Sequence, residues 1–591
     1  MQNLTTAFRS LRLTHISLAL VGLMWVLPFL HYRHQYPLTA FHQEWWSALL
    51  GVLALIPLAA ADFWRQPEIP RIVQLPAMLI AVVLLQSALG KIAYFDQSLL
   101  YALYLLFAAL LMMLGARLRD CLGLEVLASA LAVFLLVGAE CSALIGVLQH
   151  YRWSTPLDPV VVMKVSSSVF GNLAQPNHFA NYIALGLASL GLLLQLRKLK
   201  PGYAVALAVP LLFTMALSGS RSSWLYLLLL AGLAWWWARR DAGQRPLLRY
   251  SLLLIAGFGL MHLVVQLPFL AGADGGINTV QRLFGEGATD SVRLYLWREA
   301  WLMFVQSPWL GAGFGQFAWQ HFQLLPTLQG NITGLYNNAH NLVFQLAAEA
   351  GIAGLLALLV SLGAWLYGLG RAARSAAHWW GYAVVGVLAI HSLLEYPLWY
   401  TYFVAIAAFL LGALDETRYR LELRNVGRLS VVAILLLGLT TLAQLRGGHQ
   451  ELERALAIRP ADNGALERMR DGLAAVQDGP LLAPYAELFM SSLIEIGEEY
   501  IGEKLELNAR VMRFAPTGAV AYRHALLLAQ AGRQAQAQEI LAQAIWSYPG
   551  NFAAVRRQLS ELAEKDPARF SALLEFALRK EQEYRRAVRQ Q

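Results

Sequence analysis

The sequence predicts an all-α fold, a polytopic membrane helix bundle of about 12–13 spans with a large extracytoplasmic loop and a C-terminal helical domain. Three observations predict it. Of the 591 residues, 58% are hydrophobic and 14% charged, more apolar side chain than a soluble core can bury. The apolar residues come in blocks of roughly 17 to 28, which a helix rising ~1.5 Å per residue needs to cross a ~30 Å hydrocarbon layer. From about residue 446 the composition shifts to Ala, Glu, Arg and Leu at helical spacing, punctuated by proline.

The candidate spans are 13–30, 45–61, 72–90, 99–116, 122–148, 178–196, 202–217, 223–238, 250–270, 341–369, 379–394, 398–413 and 429–445. No small-residue cleavage site follows Pro28-Phe29-Leu30-His31, so the first block is read as an uncleaved helix. Lys and Arg collect in alternate connections: Arg9 and Arg12, Arg65 and Arg71, Arg117 and Arg119, Arg197-Lys198-Leu199-Lys200, Arg239-Arg240, Arg371 and Arg374, and Arg418 through Arg428. Cytoplasmic loops hold such charge, which puts the N-terminus inside and, after an odd number of spans, the tail outside. The net charge of +9 is then mostly topology, and no nucleic-acid partner is expected. Cys121 and Cys141 lie at a cytoplasmic boundary and inside a span, so neither a disulfide nor a cysteine-based metal site is expected.

These boundaries divide the chain into N-terminal transmembrane helices at 1–270, a large loop with an amphipathic helix at 271–340, C-terminal transmembrane helices at 341–445 and a soluble helical domain at 446–591. In that domain, Ala519 to Asn551 resembles a tetratricopeptide repeat, with a glycine at the inter-helix turn and a Pro-Gly-Asn close. Such a domain either docks a partner protein or caps the loop by packing on it.

Polar residues at the outer face of a membrane protein are the informative ones, because they are costly at lipid level and line functional cavities. Four clusters fall there. In "FGNLAQPNHFANY", Pro176 opens a span while Gln175, Asn177, His178 and Asn181 crowd its first turn, either capping free N–H groups or binding a ligand. In "SGSRSS", Arg221 sits in a tight turn on the side that should lack positive charge, which argues for an anionic ligand such as a phosphate.

The stretch from Arg293 to Pro308 has apolar and aromatic residues at helical spacing, as in a helix lying on a membrane surface. The "GAGFG" that follows lacks a surrounding βαβ unit, so it is read as a glycine-rich turn and not a nucleotide fingerprint. In "YNNAHNLVFQLAAEAG", His340 sits at the edge of a helix N-terminus, where added positive charge is disfavoured; it is either a structural hydrogen-bonder or a general base. Glu395 and Tyr396, in "EYPLWY", end another span on the same face, and Glu349 and Glu140 lie deeper in the bundle.

Taken together, Arg221 in "SGSR", Arg293 with Trp297 and the Pro308 to Gly313 pattern, and Asn337 to Asn341 as "N-x-x-H-N" resemble the bacterial O-antigen ligase and polymerase superfamily. Gln175 to Asn181 and "EYPLWY" are similar to its protein O-oligosaccharyltransferases. The resemblance covers most of residues 160–415. It implies an enzyme of the bacterial inner membrane, with active site and tail in the periplasm. Such an enzyme moves a preassembled glycan en bloc from undecaprenyl pyrophosphate to Ser or Thr hydroxyls of a periplasmic protein such as a pilin.

On that resemblance His340, Arg221 and Arg293 are the catalytic residues, with the arginines on the pyrophosphate and His340 taking the hydroxyl proton in an inverting displacement. Gln175, Asn177, Tyr396, Asn337, Asn341 and Glu395 are the expected substrate-binding residues. No cofactor is expected, and no metal either, because the outer clusters hold no paired acidic motif. The alternatives are an O-antigen ligase acting on lipid A-core or an O-antigen polymerase, which would use the same Arg, Arg and His. A transporter of the lipid-linked glycan is disfavoured because no internal repeat or broken mid-membrane helix is read in the sequence.

Overall fold

The computed structural model of the chain describes residues 2–60, 62–65, 67–164, 168–270, 288–328, 332–369, 374–421, 423–459 and 462–590. The first part of the expected loop, 271–287, and Arg371 lie outside the described residues. Among the described residues, eight helices are long and apolar enough to cross a membrane, and Pro201–Leu217, Ser222–Ala238 and Thr401–Leu414 are shorter apolar helices. Phe41–Ala54 and Ala376–Ser392 fall on the remaining two expected spans. The chain is therefore a multi-pass membrane protein built mainly of helices, and among the described residues one short sheet pairs Glu68–Pro70 antiparallel with Arg418–Arg420.

Two compact units emerge. The first comprises Met1–Ala77, Tyr104–Gly287 and Ala357–Leu442. At its centre runs Pro176–Gln195, buried without interruption from His178 to Leu193. A helix apolar all round belongs in the middle of a bundle. Lipid tails are as apolar as Leu, so close packing and not the hydrophobic effect must hold membrane helices together, and small residues permit it. Gly186 faces Ala139 with no room for another carbon, and Gly115 and Gly412 let Phe95–Leu122 and Thr401–Leu414 meet backbone to backbone. Thr401–Leu414 spans only ~21 Å by helix rise, but every residue except Leu411 is buried. Its neighbours, not lipid, cover its ends.

Aromatic residues fill the remaining space. Phe29 stacks on Tyr182 at 4.1 Å and meets Tyr402 and Phe403 edge-on; such pairs contribute about 0.5–1.5 kcal/mol beyond the area they bury.

The basic loops that the charge pattern assigns to one side meet at one end of this unit. Arg117 pairs with Asp62 at 2.7 Å, Arg119 with Glu416 at 2.7 Å and Arg418 with Asp120 at 3.7 Å, beside the short sheet. Other loops interlock among themselves: the Asn172 side-chain amide donates to Leu30 O and Val160 O, and the Gln149 amide to Val162 O and Gly171 O.

The second unit comprises Met78–Leu103, Ala288–Leu356 and Ala443–Gln591. The helix Leu342–Leu369 begins in it and is broken at Gly351, where φ is 62° and ψ −153°. The break corrects the expectation of uninterrupted spans. It also explains the glycine-rich turn. The carbonyls freed at Ala348 and Glu349 accept N–H groups from Ala312 and Gly313 at 2.9 and 3.1 Å. The freed N–H groups of Ile352 and Ala353 donate to Pro308 O and Trp309 O at 2.7 and 3.1 Å. Backbone polar groups without water must find protein partners, so "PWLGAGFG" closes the gap that Gly351 opens. Gln86 adds to the cradle, donating to Leu310 O and Glu349 O while accepting from Phe314 N–H.

Ala288–Gln306 is helical over the expected amphipathic stretch and is apolar on two faces. Leu296, Ala300 and Met303 are buried, whereas Leu294, Trp301 and Val305 form an exposed stripe. The next loop helix, Phe317–Leu328, inserts Phe322 into the core of the C-terminal helices, with Trp319 packed beside it. Those helices include the antiparallel pair Gly518–Gln530 and Gln534–Ser547, turned at Gly532 with φ +74°.

On Gly518–Gln530, burial and then the charge of Arg533 push the His524 imidazole down to about 4. The unfolded chain binds this proton near pH 6.5 and the folded chain only near pH 4, so His524 destabilises the fold as pH falls through that window. We expect the thermal midpoint of the detergent-solubilised protein to drop faster between pH 6.5 and pH 5 in the wild type than in His524→Gln. The slope is up to roughly 1.4 kcal/mol per pH unit, discounted for partial exposure. Parallel curves for the two proteins would refute it.

Candidate active site

In the first unit, the three expected outer-face segments that lie there meet through Asn177. Gln175 caps Pro176–Gln195: its side-chain oxygen accepts the His178 N–H at 2.6 Å. Capping thus accounts for one amide. Asn177 does something else. Its Nδ2 donates to Glu395 Oε1 at 2.7 Å, and its Oδ1 accepts from the Ser220 hydroxyl at 2.8 Å. Ser220 immediately precedes Arg221, the residue before the helix Ser222–Ala238, in a turn that Gly219 makes with φ +66°. The Q-P-N turn, the S-G-S-R turn and the E-Y-P corner are thereby tied into one polar patch, with Glu395 buried and Arg221 half-buried. Tyr396 stacks on Tyr400 at 5.9 Å, and burial raises its hydroxyl above the usual tyrosine range.

In the second unit, His340 stands on a strained turn. Its φ is +51°, a conformation uncommon for a side chain with a Cβ and found at functional sites. A set of hydrogen bonds holds the turn. The His340 N–H donates to Asn338 Oδ1 at 2.7 Å, and the Ala339 N–H to Gln345 Oε1 at 2.7 Å. Asn341 Oδ1 accepts from Val343 and Phe344 N–H, which makes it the cap of the following helix. Trp297 closes the set: its indole N–H donates to Ala339 O at 3.1 Å, and its ring stacks on Phe344 at 5.2 Å. Arg293 lies four residues before Trp297 and so shares its helix face, the face turned to the His340 turn. Asn337 is exposed on the same turn.

The three stretches that match known families carry all of these residues. Residues 169–194 match protein glycosylation ligase, residues 206–359 match O-antigen ligase, and residues 379–562 match virulence factor membrane-bound polymerase, C-terminal. The general O-oligosaccharyltransferase of Acinetobacter baylyi is 27% identical over 437 residues, which is 72% of this chain and 74% of the relative. The chain thus resembles the O-antigen ligase superfamily and, within it, the protein O-oligosaccharyltransferases. A second relative, the ComP-specific O-oligosaccharyltransferase of the same organism, is 24% identical over 377 residues, 62% of this chain and 65% of the relative.

Two buried polar clusters join residues that the sequence did not connect. Beneath the His340 turn, Glu299 Oε2 and His321 Nδ1 lie 2.7 Å apart, both almost fully buried, and the His321 ring meets Tyr336 edge-on. Burial pushes the Glu299 carboxyl up, against the His321 hydrogen bond that pulls it down. Beneath the Asn177 patch, His178, His391 and Tyr226 form a hydrogen-bonded row. His391 could have been found: an ionisable residue inside an apolar span is a site candidate by default.

Proposed function

We propose that the chain transfers a preassembled glycan en bloc from undecaprenyl pyrophosphate to a Ser or Thr hydroxyl of an exported protein such as a pilin, at the periplasmic face of the inner membrane. The observation that carries this reading is the rigid turn presenting His340 at φ +51°, braced by Trp297 from the helix that bears Arg293. Such bracing suits a group that has to meet a substrate proton in fixed geometry.

In the reaction, the hydroxyl oxygen of the acceptor bonds to the anomeric carbon as the bond from that carbon to the phosphate oxygen breaks, with inversion. His340 accepts the hydroxyl proton. Arg221 and Arg293 offset the charge that gathers on the departing undecaprenyl pyrophosphate, a role that two guanidinium groups fill without a metal ion. Asn177 and Glu395 hold the S-G-S-R turn in place for this, and Gln175, Tyr396, Asn337 and Asn341 frame glycan and acceptor. The exposed stripe of Leu294, Trp301 and Val305 suits a helix resting at the lipid boundary, and the C-terminal helices suit a docking surface for the acceptor.

The test is intact-mass spectrometry of a pilin-like protein from a host that supplies the lipid-linked glycan, with and without this chain. A glycan-sized mass on Ser or Thr, still formed by purified components in excess chelator, is the expected result. Glycan found on lipid A-core, or lengthened on its carrier with the protein unmodified, would move the chain to the ligase or polymerase reaction.

A further inference from the structure

The row of Tyr226, His391 and His178 is buried in the first unit, with relative exposures of 0%, 0% and 3%. Both nitrogens of His391 are engaged: Nε2 lies 2.8 Å from His178 Nδ1, and Nδ1 lies 3.0 Å from the Tyr226 hydroxyl oxygen. Two imidazoles that share one N···N hydrogen bond must divide the roles, one donating and one accepting. With Tyr226 donating to His391 Nδ1, His391 carries its proton on Nε2 and donates to His178 Nδ1. The tautomer of each ring is then set by the hydroxyl at the end of the row.

The row also runs parallel to the patch above it. His178 follows Asn177 in sequence, and His391 accepts the backbone N–H of Glu395 at 2.8 Å through its own carbonyl. The same two segments are therefore bridged twice, by Asn177 to Glu395 and by His178 to His391. Apolar side chains would fill this interior at lower cost, since polar groups at membrane depth are expensive to bury.

We propose that Tyr226, His391 and His178 are positioning residues for the anion-binding face. By holding the start of Pro176–Gln195 against the Glu395 corner, the row fixes Asn177, and Asn177 through Ser220 fixes the turn that carries Arg221. This rests on the reading that the Arg221 face holds the pyrophosphate of the donor.

The experiment measures the affinity of the full-length, detergent-purified protein for undecaprenyl pyrophosphate, together with its thermal midpoint. Tyr226→Phe removes one buried hydroxyl, and Tyr182→Phe, which loses a comparable buried hydrogen bond to Trp25 O, is the control. We expect both to lower the midpoint, but only Tyr226→Phe to weaken binding, by about tenfold. His391→Leu should weaken it at least as much, and His391→Gln, which can accept from Tyr226 and donate to His178, should recover affinity to within about threefold of wild type. Equal affinity of Tyr226→Phe and wild type overturns the inference even if His391→Leu does not fold. A wild-type protein that fails to bind undecaprenyl pyrophosphate overturns the donor-site reading itself, and the positioning role with it.

Discussion

His340→Asn is expected to fold and to lose glycan transfer by about 10² to 10⁴-fold, the usual contribution of a positioned general base. Asparagine is the substitution of choice because it tolerates the φ of +51° better than alanine does. His340→Ala adds roughly 1 kcal/mol of backbone strain to the same chemical loss. Single-turnover transfer to a purified acceptor, followed by intact mass, separates the two. An asparagine variant that keeps more than a tenth of wild-type transfer would remove His340 from the proton-accepting role and leave it a structural hydrogen-bonder. Donor affinity should change little, because the lost group meets the acceptor hydroxyl.

The largest effect on stability is expected at Gly351. Its φ/ψ of 62°/−153° lies in a region open essentially to glycine alone, which costs another residue about 1–3 kcal/mol. An added Cβ would also sit 2.5 Å from Pro308 O and 2.7 Å from the Gly311 nitrogen. Overpacking of that severity costs a further ~1–3 kcal/mol. Gly351→Ala should therefore lower the yield of folded protein sharply and collapse its size-exclusion peak. Gly363, in the same helix with open space around it, is the matched control. There alanine should be neutral or stabilising by up to ~1 kcal/mol. Similar behaviour of the two variants would mean that the break at Gly351 and its bonds to Pro308 to Gly313 do not hold the fold as described above.

The spans and the site motifs were legible in the sequence because both are local. A hydropathy block reports a helix without knowing its neighbours, and Arg221, Arg293 and His340 each sit in a short pattern. The capping roles of Gln175 and Asn341 were half legible, since amides at a helix start are natural caps, but a sequence cannot say that Asn177 between them reaches across to Glu395. Gly351 was hidden among the glycines and alanines of "EAGIAG", because hydropathy stays high straight through the break. The partners that satisfy that break, Pro308 to Gly313, stand some forty residues earlier. His391 and Tyr226 read as polar dots in apolar runs, and only tertiary structure makes them a row.

Phe322 sits in the core of the C-terminal helices, and the Gly334 N–H donates to Ser547 O at 2.8 Å. The ribosome makes this loop helix long before the residues that will enclose it. Until synthesis reaches those helices, Trp319 and Phe322 have no core to enter, and the segment that leads to His340 has no anchor at Gly334. Assembly of this region therefore waits on the C-terminal helices. A hybrid that borrows the C-terminal helices of a relative has to bring the matching segment of Phe317–Leu328 with them, because the seam of exchange does not lie at the last span.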